Sequence, residues 1–68
     1  MKEVLLKDVY KEINAGKMEG YIDTFTGRLK ISGVDWKNWI VITGQDLSQR
    51  SWYVTPDTII FINNNKGK

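Results

Sequence analysis

The chain has 68 residues, of which 41% are hydrophobic and 26% charged, and its net charge is +2. This length allows a single domain, and the composition is typical of a globular protein rather than a disordered one. Cysteine and histidine are absent, which excludes disulfides, the common zinc sites and Ser-His or Cys-His nucleophiles. We therefore expect neither an enzyme nor a cofactor.

No apolar run of the sequence approaches the ~20 residues that a membrane helix needs. The first residues carry an acidic side chain and too short an apolar stretch for a signal peptide. A secreted domain of this size would usually contain disulfides. These observations predict a cytoplasmic protein without a membrane partner.

The net charge resides in the last residues of the chain. Lys66 and Lys68 account for all of it, because positive and negative side chains cancel over residues 1–62. A protein that binds duplex nucleic acid usually shows a concentrated basic face. The near-neutral body therefore favours a protein partner, and nucleic acid stays as the alternative.

An amphipathic helix is predicted over residues 3–14. Leu5, Val9 and Ile13 recur every four residues and form an apolar stripe. Gly16 would end the helix, because glycine adopts the left-handed conformation without a Cβ clash. A helix this short is marginal in isolation, so we expect its stripe to pack on the rest of the chain.

The apolar period changes to two over residues 20–32, which predicts a β-hairpin. We expect Thr26-Gly27 to form its two-residue turn. The cross-strand pairs are then Phe25–Arg28, Thr24–Leu29, Asp23–Lys30 and Ile22–Ile31. One face of this hairpin is apolar, and the other carries an ion pair and an aromatic–guanidinium pair.

Three more strands follow in the prediction, over residues 38–43, 51–54 and 58–62. A polar loop over residues 44–50 precedes the second of them, and a turn with Pro56 in its favoured second place precedes the third. Residues 63–68 show no periodicity and are predicted to be a flexible tail. The predicted fold class is α+β and mostly β, with an N-terminal helix and a five-stranded antiparallel sheet in one domain over residues 1–62.

This order of elements is similar to the small-barrel class shared by SH3-like and Sm-like proteins. Residues 52–62 resemble the second Sm motif, and residues 35–42 resemble the first, with its Asp and Asn one residue closer together than is usual. The resemblance implies a five-stranded antiparallel SH3/Sm-like small barrel, and it maps Asp35 and Asn38 onto RNA-loop positions. The Arg-Gly of the second motif is Thr55-Pro56 here, so the arginine that helps to hold a base is missing.

The carboxylates show no metal-loop spacing, and ordinary structural roles account for them. Asp23 would lie opposite Lys30, and Asp57 belongs to the proline turn. We expect no metal site.

Aromatic residues are the strongest sign of a binding function. Trp39 and Trp52 fall within predicted strands and are expected in the core. Trp36 lies in a polar connection, and the sequence leaves open whether it folds back as a plug or is an exposed contact. Tyr21 and Tyr53 alternate with core positions, so at least one of them should reach solvent.

The first functional hypothesis is a non-enzymatic regulator or inhibitor that docks onto a larger protein. Exposed aromatic and arginine side chains dominate the energy of such interfaces. The candidate contacts are Trp36, Phe25, Arg28, Tyr53, Tyr21 and Lys30. The richness in Lys, Ile and Asn would suit a phage or mobile-element protein that acts on a host enzyme.

The alternative hypothesis is an Sm-like subunit that binds RNA or single-stranded nucleic acid and forms a ring through its edge strands. Aromatic rings interleaved with cations offer stacking and phosphate contacts. The candidate nucleic-acid contacts are Asp35, Asn38, Lys37, Lys66 and Lys68. A monomer or dimer would favour the first hypothesis, and a hexamer or heptamer the second.

Overall fold

An antiparallel sheet and one α-helix build the fold in the computed structural model, which describes residues 1–63. The elements are β1 (Lys2–Leu5), α1 (Leu6–Asn14), β2 (Gly20–Thr24), β3 (Gly27–Asp35), β4 (Ile40–Thr43), a 3-10 helix (Asp46–Ser48), β5 (Arg50–Tyr53) and β6 (Ile59–Ile62). Within the described residues the sheet has six strands in the order β1-β6-β2-β3-β4-β5, and every neighbouring pair is antiparallel. The prediction of a mostly β domain with one helix near its N-terminus is confirmed.

The helix is shorter than predicted, because residues 2–5 form a strand. This strand pairs with β6, with Val4 opposite Ile60, so the sheet has six strands over residues 1–63 rather than the five expected. The first N–H groups of the helix have main-chain partners in the turn before β6: Leu6 donates to Thr58 at 2.9 Å and Lys7 donates to Pro56 at 3.0 Å. These bonds satisfy donors that a helix N-terminus otherwise leaves unpaired, and they fix where the helix begins.

The hairpin of β2 and β3 exists, but its predicted register is wrong. Thr24 pairs with Gly27, so the turn consists of Phe25 and Thr26. The Thr24 hydroxyl accepts a bond from the Thr26 N–H at 3.1 Å and donates one to the Gly27 carbonyl at 3.0 Å, which holds the turn in this position. Since the pairing shifts by two residues, the inward and outward faces stay as predicted.

The connection between β3 and β4 also differs from the prediction. The sequence predicted that the hairpin ends at residue 32 and that the next strand begins at 38, yet β3 continues to Asp35 and the turn spans residues 36–39. Trp39, expected in a strand, has a φ of 54° and belongs to this turn. A register shift between Ile31 and Gly33 lets β3 pair first with β2 and then with β4, because an extra residue bends the strand. The strands predicted over 51–54 and 58–62 are observed as β5, which lies one residue earlier, and β6, which begins one residue later and ends as predicted.

The core lies between α1 and the inward faces of the strands. Its buried members are Leu6, Val9, Ile13, Ile22, Ile31, Val34, Val41, Ile60 and Ile62. The predicted helix stripe is confirmed for Val9 and Ile13, whereas Leu5 belongs to β1. Asn14 ties the end of the helix to β3, because its amide donates to the Val34 carbonyl at 3.0 Å and its oxygen accepts from the Val34 N–H at 2.8 Å.

The predicted tail over residues 63–68 lies almost wholly outside the described residues, and so do Lys66 and Lys68. Asn63 is described, and its N–H donates to the Glu19 carbonyl at 3.2 Å. Over residues 1–63, no helix has both the length and the apolar character needed to cross a membrane.

Candidate functional site

Three of the predicted contact residues lie together on the outer face of β2, β3 and β6, which we call the paired face. Tyr21 is the cross-strand neighbour of both Lys30 and Phe61, so these side chains share one side of the sheet. Arg28 lies beside them, with its guanidinium 4.0 Å from the centre of the Phe61 ring. The paired face comprises Glu19, Tyr21, Asp23, Arg28, Lys30 and Phe61.

The charged groups of the paired face are bound to one another. Arg28 holds the Asp23 carboxylate with two bonds, from Nε at 2.7 Å and from one terminal nitrogen at 3.2 Å. Lys30 lies 3.8 Å from a Glu19 oxygen, and the Tyr21 hydroxyl donates to the other at 3.3 Å. Asp23 therefore pairs with Arg28, rather than with Lys30 as predicted, and Arg28 does not pair with Phe25.

The Asp23–Arg28 bond shifts the ionisation of both groups. The hydrogen bonds from Arg28 hold the pKa of Asp23 below its ordinary value. Desolvation opposes this effect, and the charge of Arg28 reinforces it to a lesser extent. The same bonds raise the pKa of Arg28. Both groups are thus stabilised in their charged forms, and their charges cancel locally.

A different kind of surface forms where β2 and β6 separate. These strands pair only at Gly20–Ile62 and Tyr21–Phe61, and beyond that point a groove opens against the end of β5. Its volume is about 290 Å³, at the lower end of ~300–1,000 Å³ for ligand pockets. We call it the β5 groove; its lining residues are Ile22, Asp23, Thr24, Phe25, Trp52, Tyr53, Val54, Thr58 and Ile59.

Most of the side chains that line the β5 groove are apolar or aromatic, and its rim is open to solvent. The exposed fractions are 91% for Phe25, 88% for Tyr53 and 52% for Ile59. The Phe25 ring still meets the Trp52 ring edge to face, with centroids 5.7 Å apart, and this contact joins the hairpin tip to β5. Asp23 is the one charged residue in the lining, and Arg28 already neutralises it.

Trp52 is the fixed wall of this groove. Its indole N–H donates to the Thr43 hydroxyl at 2.9 Å, and Thr43 is only 2% exposed. The ring is half-buried rather than fully in the core as predicted, because one side faces the groove. Tyr53, the next residue, points to the other side of β5 and reaches solvent, which confirms the prediction made for the two tyrosines.

Trp36 lies elsewhere, at the tip of the turn between β3 and β4. It is 50% exposed, so it is a surface residue rather than a plug. Together with Tyr10, Lys11, Asn14 and Ala15 of the helix region it lines a second groove of about 580 Å³. Trp39, expected in the core, is half-buried and packs edge to face on Tyr10 with centroids 5.5 Å apart.

Asp35, Lys37 and Asn38 surround Trp36 and hold its turn in shape. The Asp35 carboxylate accepts a bond from the Asn38 amide and one from the Lys37 main-chain N–H, both at 3.1 Å. The Asn38 bond, followed by the smaller contributions of the main-chain N–H groups and the Lys37 charge, lowers the pKa of Asp35. The Lys37 ammonium lies 5.8 Å from the centre of the Trp36 ring, and Lys66 and Lys68 are outside the described residues.

Sequence reasoning found part of the β5 groove and missed the rest. Phe25 and Tyr53 were named as contacts, whereas Trp52 was assigned to the core and Ile59 was one residue of an apolar strand. The alternation over residues 51–54 could have shown that Trp52 and Tyr53 face opposite sides. The separation of β2 from β6 has no local sequence signal.

Within residues 1–63, no group of three or more acidic side chains is placed to hold a metal ion. No family model, no curated protein and no solved structure matches this chain. The two grooves and the paired face are therefore the candidate functional surfaces of this chain.

Proposed function

We propose that this chain is a non-enzymatic binding protein that docks onto another protein through the β5 groove and acts as its regulator or inhibitor. The observation that carries this proposal is the nearly complete exposure of Phe25 and Tyr53, at 91% and 88%, beside an apolar groove. Large exposed apolar clusters on small domains mark interaction surfaces. Cytoplasmic location belongs to the same proposal, on the grounds of composition alone.

The chemistry of the groove favours a protein partner over nucleic acid. No lysine or arginine lines it, whereas binding to single strands needs cations along the path of the phosphates. Aromatic side chains beside a pocket are the residues that most often dominate protein interfaces. Phe25, Tyr53, Trp52 and Ile59 are the contacts that we assign to the partner, and Arg28, Lys30 and Tyr21 contribute less because they are already bound to neighbours.

The small-barrel architecture of the SH3-like and Sm-like class is part of the proposal. It is supported by the bent strand β3, which pairs with β2 along its first part and with β4 along its second. It is supported also by the Phe25–Trp52 contact, which brings the tip of one hairpin to the last strand of the sheet. A sheet that curls in this way approaches the closure of a small barrel.

The test is capture of a partner by the immobilised protein from a cell lysate, with identification by mass spectrometry. Phe25→Ala and Tyr53→Ala should each weaken capture, by about 2 kcal/mol if the residue is central, and leave the melting temperature unchanged because both side chains are exposed. Leu47→Ala is the matched control, because Leu47 is fully exposed but lies outside the groove. Equal capture by all four proteins would refute the proposed site.

The second groove, which Trp36 lines together with Tyr10, Lys11, Asn14 and Ala15, supports a second candidate function. This function is the binding of RNA or of single-stranded nucleic acid. The specific observation is that Lys37 lies over the Trp36 ring while Lys11 lines the same groove, which combines a stacking platform with two cations. Binding should then weaken steeply with salt, and Trp36→Ala should abolish it. A flat salt response in a gel shift excludes this candidate, and native mass tests whether copies form a ring.

A further inference from the structure

The strand β5 ends the sheet, so one of its edges has no neighbouring strand within the described residues. The Val54 N–H donates to the Trp39 carbonyl at 3.0 Å, which fixes the phase of the ladder between β4 and β5. In an antiparallel ladder, alternate residues direct both main-chain groups to the neighbour. Arg50, Trp52 and Val54 thus bond towards β4, and Ser51 and Tyr53 direct their N–H and C=O groups outward.

This free edge borders the β5 groove. The groove is lined by Trp52, Tyr53 and Val54 on one side and by residues of β2 and β6 on the other, with none from β4. A segment of chain that bonded to Ser51 and Tyr53 would therefore lie along the groove. Side chains alternate across a strand, so every second residue of such a segment would face the same side as Trp52 and Val54.

The positive charge of Arg50 places a second requirement on the segment that binds along β5. Arg50 shares a face of β5 with Trp52 and Val54, and within residues 1–63 it has neither an ion pair nor a hydrogen-bonded side-chain partner. An incoming residue opposite Arg50 would have its side chain close to the guanidinium, because side chains approach closely in pairs that do not exchange main-chain bonds. A carboxylate is the group that fits there.

We infer that the β5 groove binds an extended segment of the partner protein, which adds a strand to the free edge of β5. The segment carries a carboxylate side chain opposite Arg50 and a bulky apolar side chain two or four residues away that enters the groove. Main-chain bonds to Ser51 and Tyr53 supply affinity, and the alternate side chains supply specificity, as in other cases of strand addition. This inference rests on the proposed function and names the chemistry of its partner.

A second copy of the chain fits this edge less well. Residues 49–54 contain no acid, so pairing of β5 with itself leaves Arg50 without a carboxylate. The other edge strand, β1, carries Glu3, but Lys2 is its neighbour, and Glu3 already interacts electrostatically with Arg28. Charged side chains on an edge strand are a common protection against such pairing.

The experiment uses a displayed library of random twelve-residue peptides selected on the intact protein. Enriched peptides should contain Asp or Glu two or four positions from a large apolar residue. For a selected peptide made synthetically, Ser51→Pro should weaken binding at least about tenfold, since proline removes an outward N–H but no bond to β4. Ser51→Ala is the matched control and should bind like the wild type. Amide exchange should show Ser51 and Tyr53 unprotected in the free protein and protected in the complex.

A selected peptide methylated on the main-chain nitrogens that face β5 provides a second measurement, which holds even where Ser51→Pro disturbs folding. If that peptide and Ser51→Pro both leave affinity unchanged while Phe25→Ala abolishes it, strand addition is wrong and the proposed function stands. The same conclusion follows if no peptide is enriched although Phe25→Ala and Tyr53→Ala still block partner capture. Concentration-dependent protection of Ser51 and Tyr53 without peptide would mean that a second copy occupies the edge, which also overturns the inference.

Discussion

Two regions of the surface carry the same residue types and differ in how those residues are partnered. On the paired face an arginine, a tyrosine and a phenylalanine are joined to one another or to acids: Arg28 lies over Phe61 and binds Asp23, and Tyr21 bonds to Glu19. Along the β5 edge and its groove the same three types, Arg50, Tyr53 and Phe25, extend into solvent, and of their rings that of Phe25 meets Trp52. Residue type alone therefore does not define a contact residue. Within residues 1–63, Arg50 and Tyr53 have neither an ion pair nor a hydrogen-bonded or stacked side-chain partner, which makes the β5 edge the better candidate.

The largest expected effect comes from Gly44, which supports the loop that leads into β5. Its φ is +76°, and a Cβ there would lie 2.5 Å from the Ser48 carbonyl oxygen. Gly44→Ala should therefore cost about 2–5 kcal/mol, the sum of left-handed strain and overpacking, as measured by denaturant unfolding. Peptide binding at the β5 edge should fall with it, while the paired face keeps its bonds.

Gly16→Ala is the control for this prediction. Gly16 has nearly the same φ, +75°, but a Cβ there meets nothing within 4 Å, so only the strain of about 1–2 kcal/mol remains. Equal losses at the two glycines would show that the close approach to Ser48 does not matter for stability.

The next effect concerns the wall of the β5 groove. Thr43→Val conserves shape but leaves the Trp52 indole N–H without its acceptor, so we expect a loss of about 1–3 kcal/mol. Trp52→Phe in both backgrounds completes a double-mutant cycle, in which the Thr43 substitution should cost less when the indole is absent. Identical costs in the two backgrounds would mean that the 2.9 Å bond contributes nothing.

The comparison also shows what the sequence could and could not predict. The spacing of apolar residues was enough to predict that Val9 and Ile13 lie on the core face of the helix. It was also enough to predict the two faces of the β2–β3 hairpin. The same spacing predicted the wrong structure for residues 2–5, because Leu5 continues the helical pattern. This segment is a strand because it pairs with β6, which lies far along the chain. The hairpin register depended on the Thr24 hydroxyl, whose bonds compete with the expected Thr26-Gly27 turn.

The candidate site was predictable to the same extent. Alternation along β5 and the position of Phe25 in a turn indicated that Tyr53 and Phe25 could be exposed. The groove between them depends on where β2 and β6 stop pairing, and Trp52 takes its place there through Thr43, nine residues away. Both are properties of the assembled sheet, so no window of the sequence contains them.

Alanine substitutions of Arg28 and Arg50 should have smaller effects, and these effects should differ between the two residues. Arg28→Ala removes the Asp23 bonds and the contact with Phe61, so the melting temperature should fall measurably while binding of the selected peptide stays unchanged. Arg50→Ala should do the reverse, with an unchanged melting temperature and binding weakened by up to about fivefold, the value of one exposed ion pair. If both variants changed the melting temperature and the peptide affinity in the same way, the proposed difference between the paired face and the β5 edge would be wrong.

The smallest effect is the response of the paired face to acid. The folded-state pKa of Asp23 lies below its ordinary value because Arg28 binds the carboxylate, so the folded protein takes up its proton at lower pH than the unfolded chain does. This contribution to stability is fully present above the unfolded pKa of about 3.9 and is lost as pH falls through the lower folded value. Asp23→Asn should therefore be less stable than the wild type at neutral pH and lose less stability below pH ~4, as measured by thermal unfolding across that range. A slope unaltered by Asp23→Asn would show that the Arg28 bond is not maintained in solution.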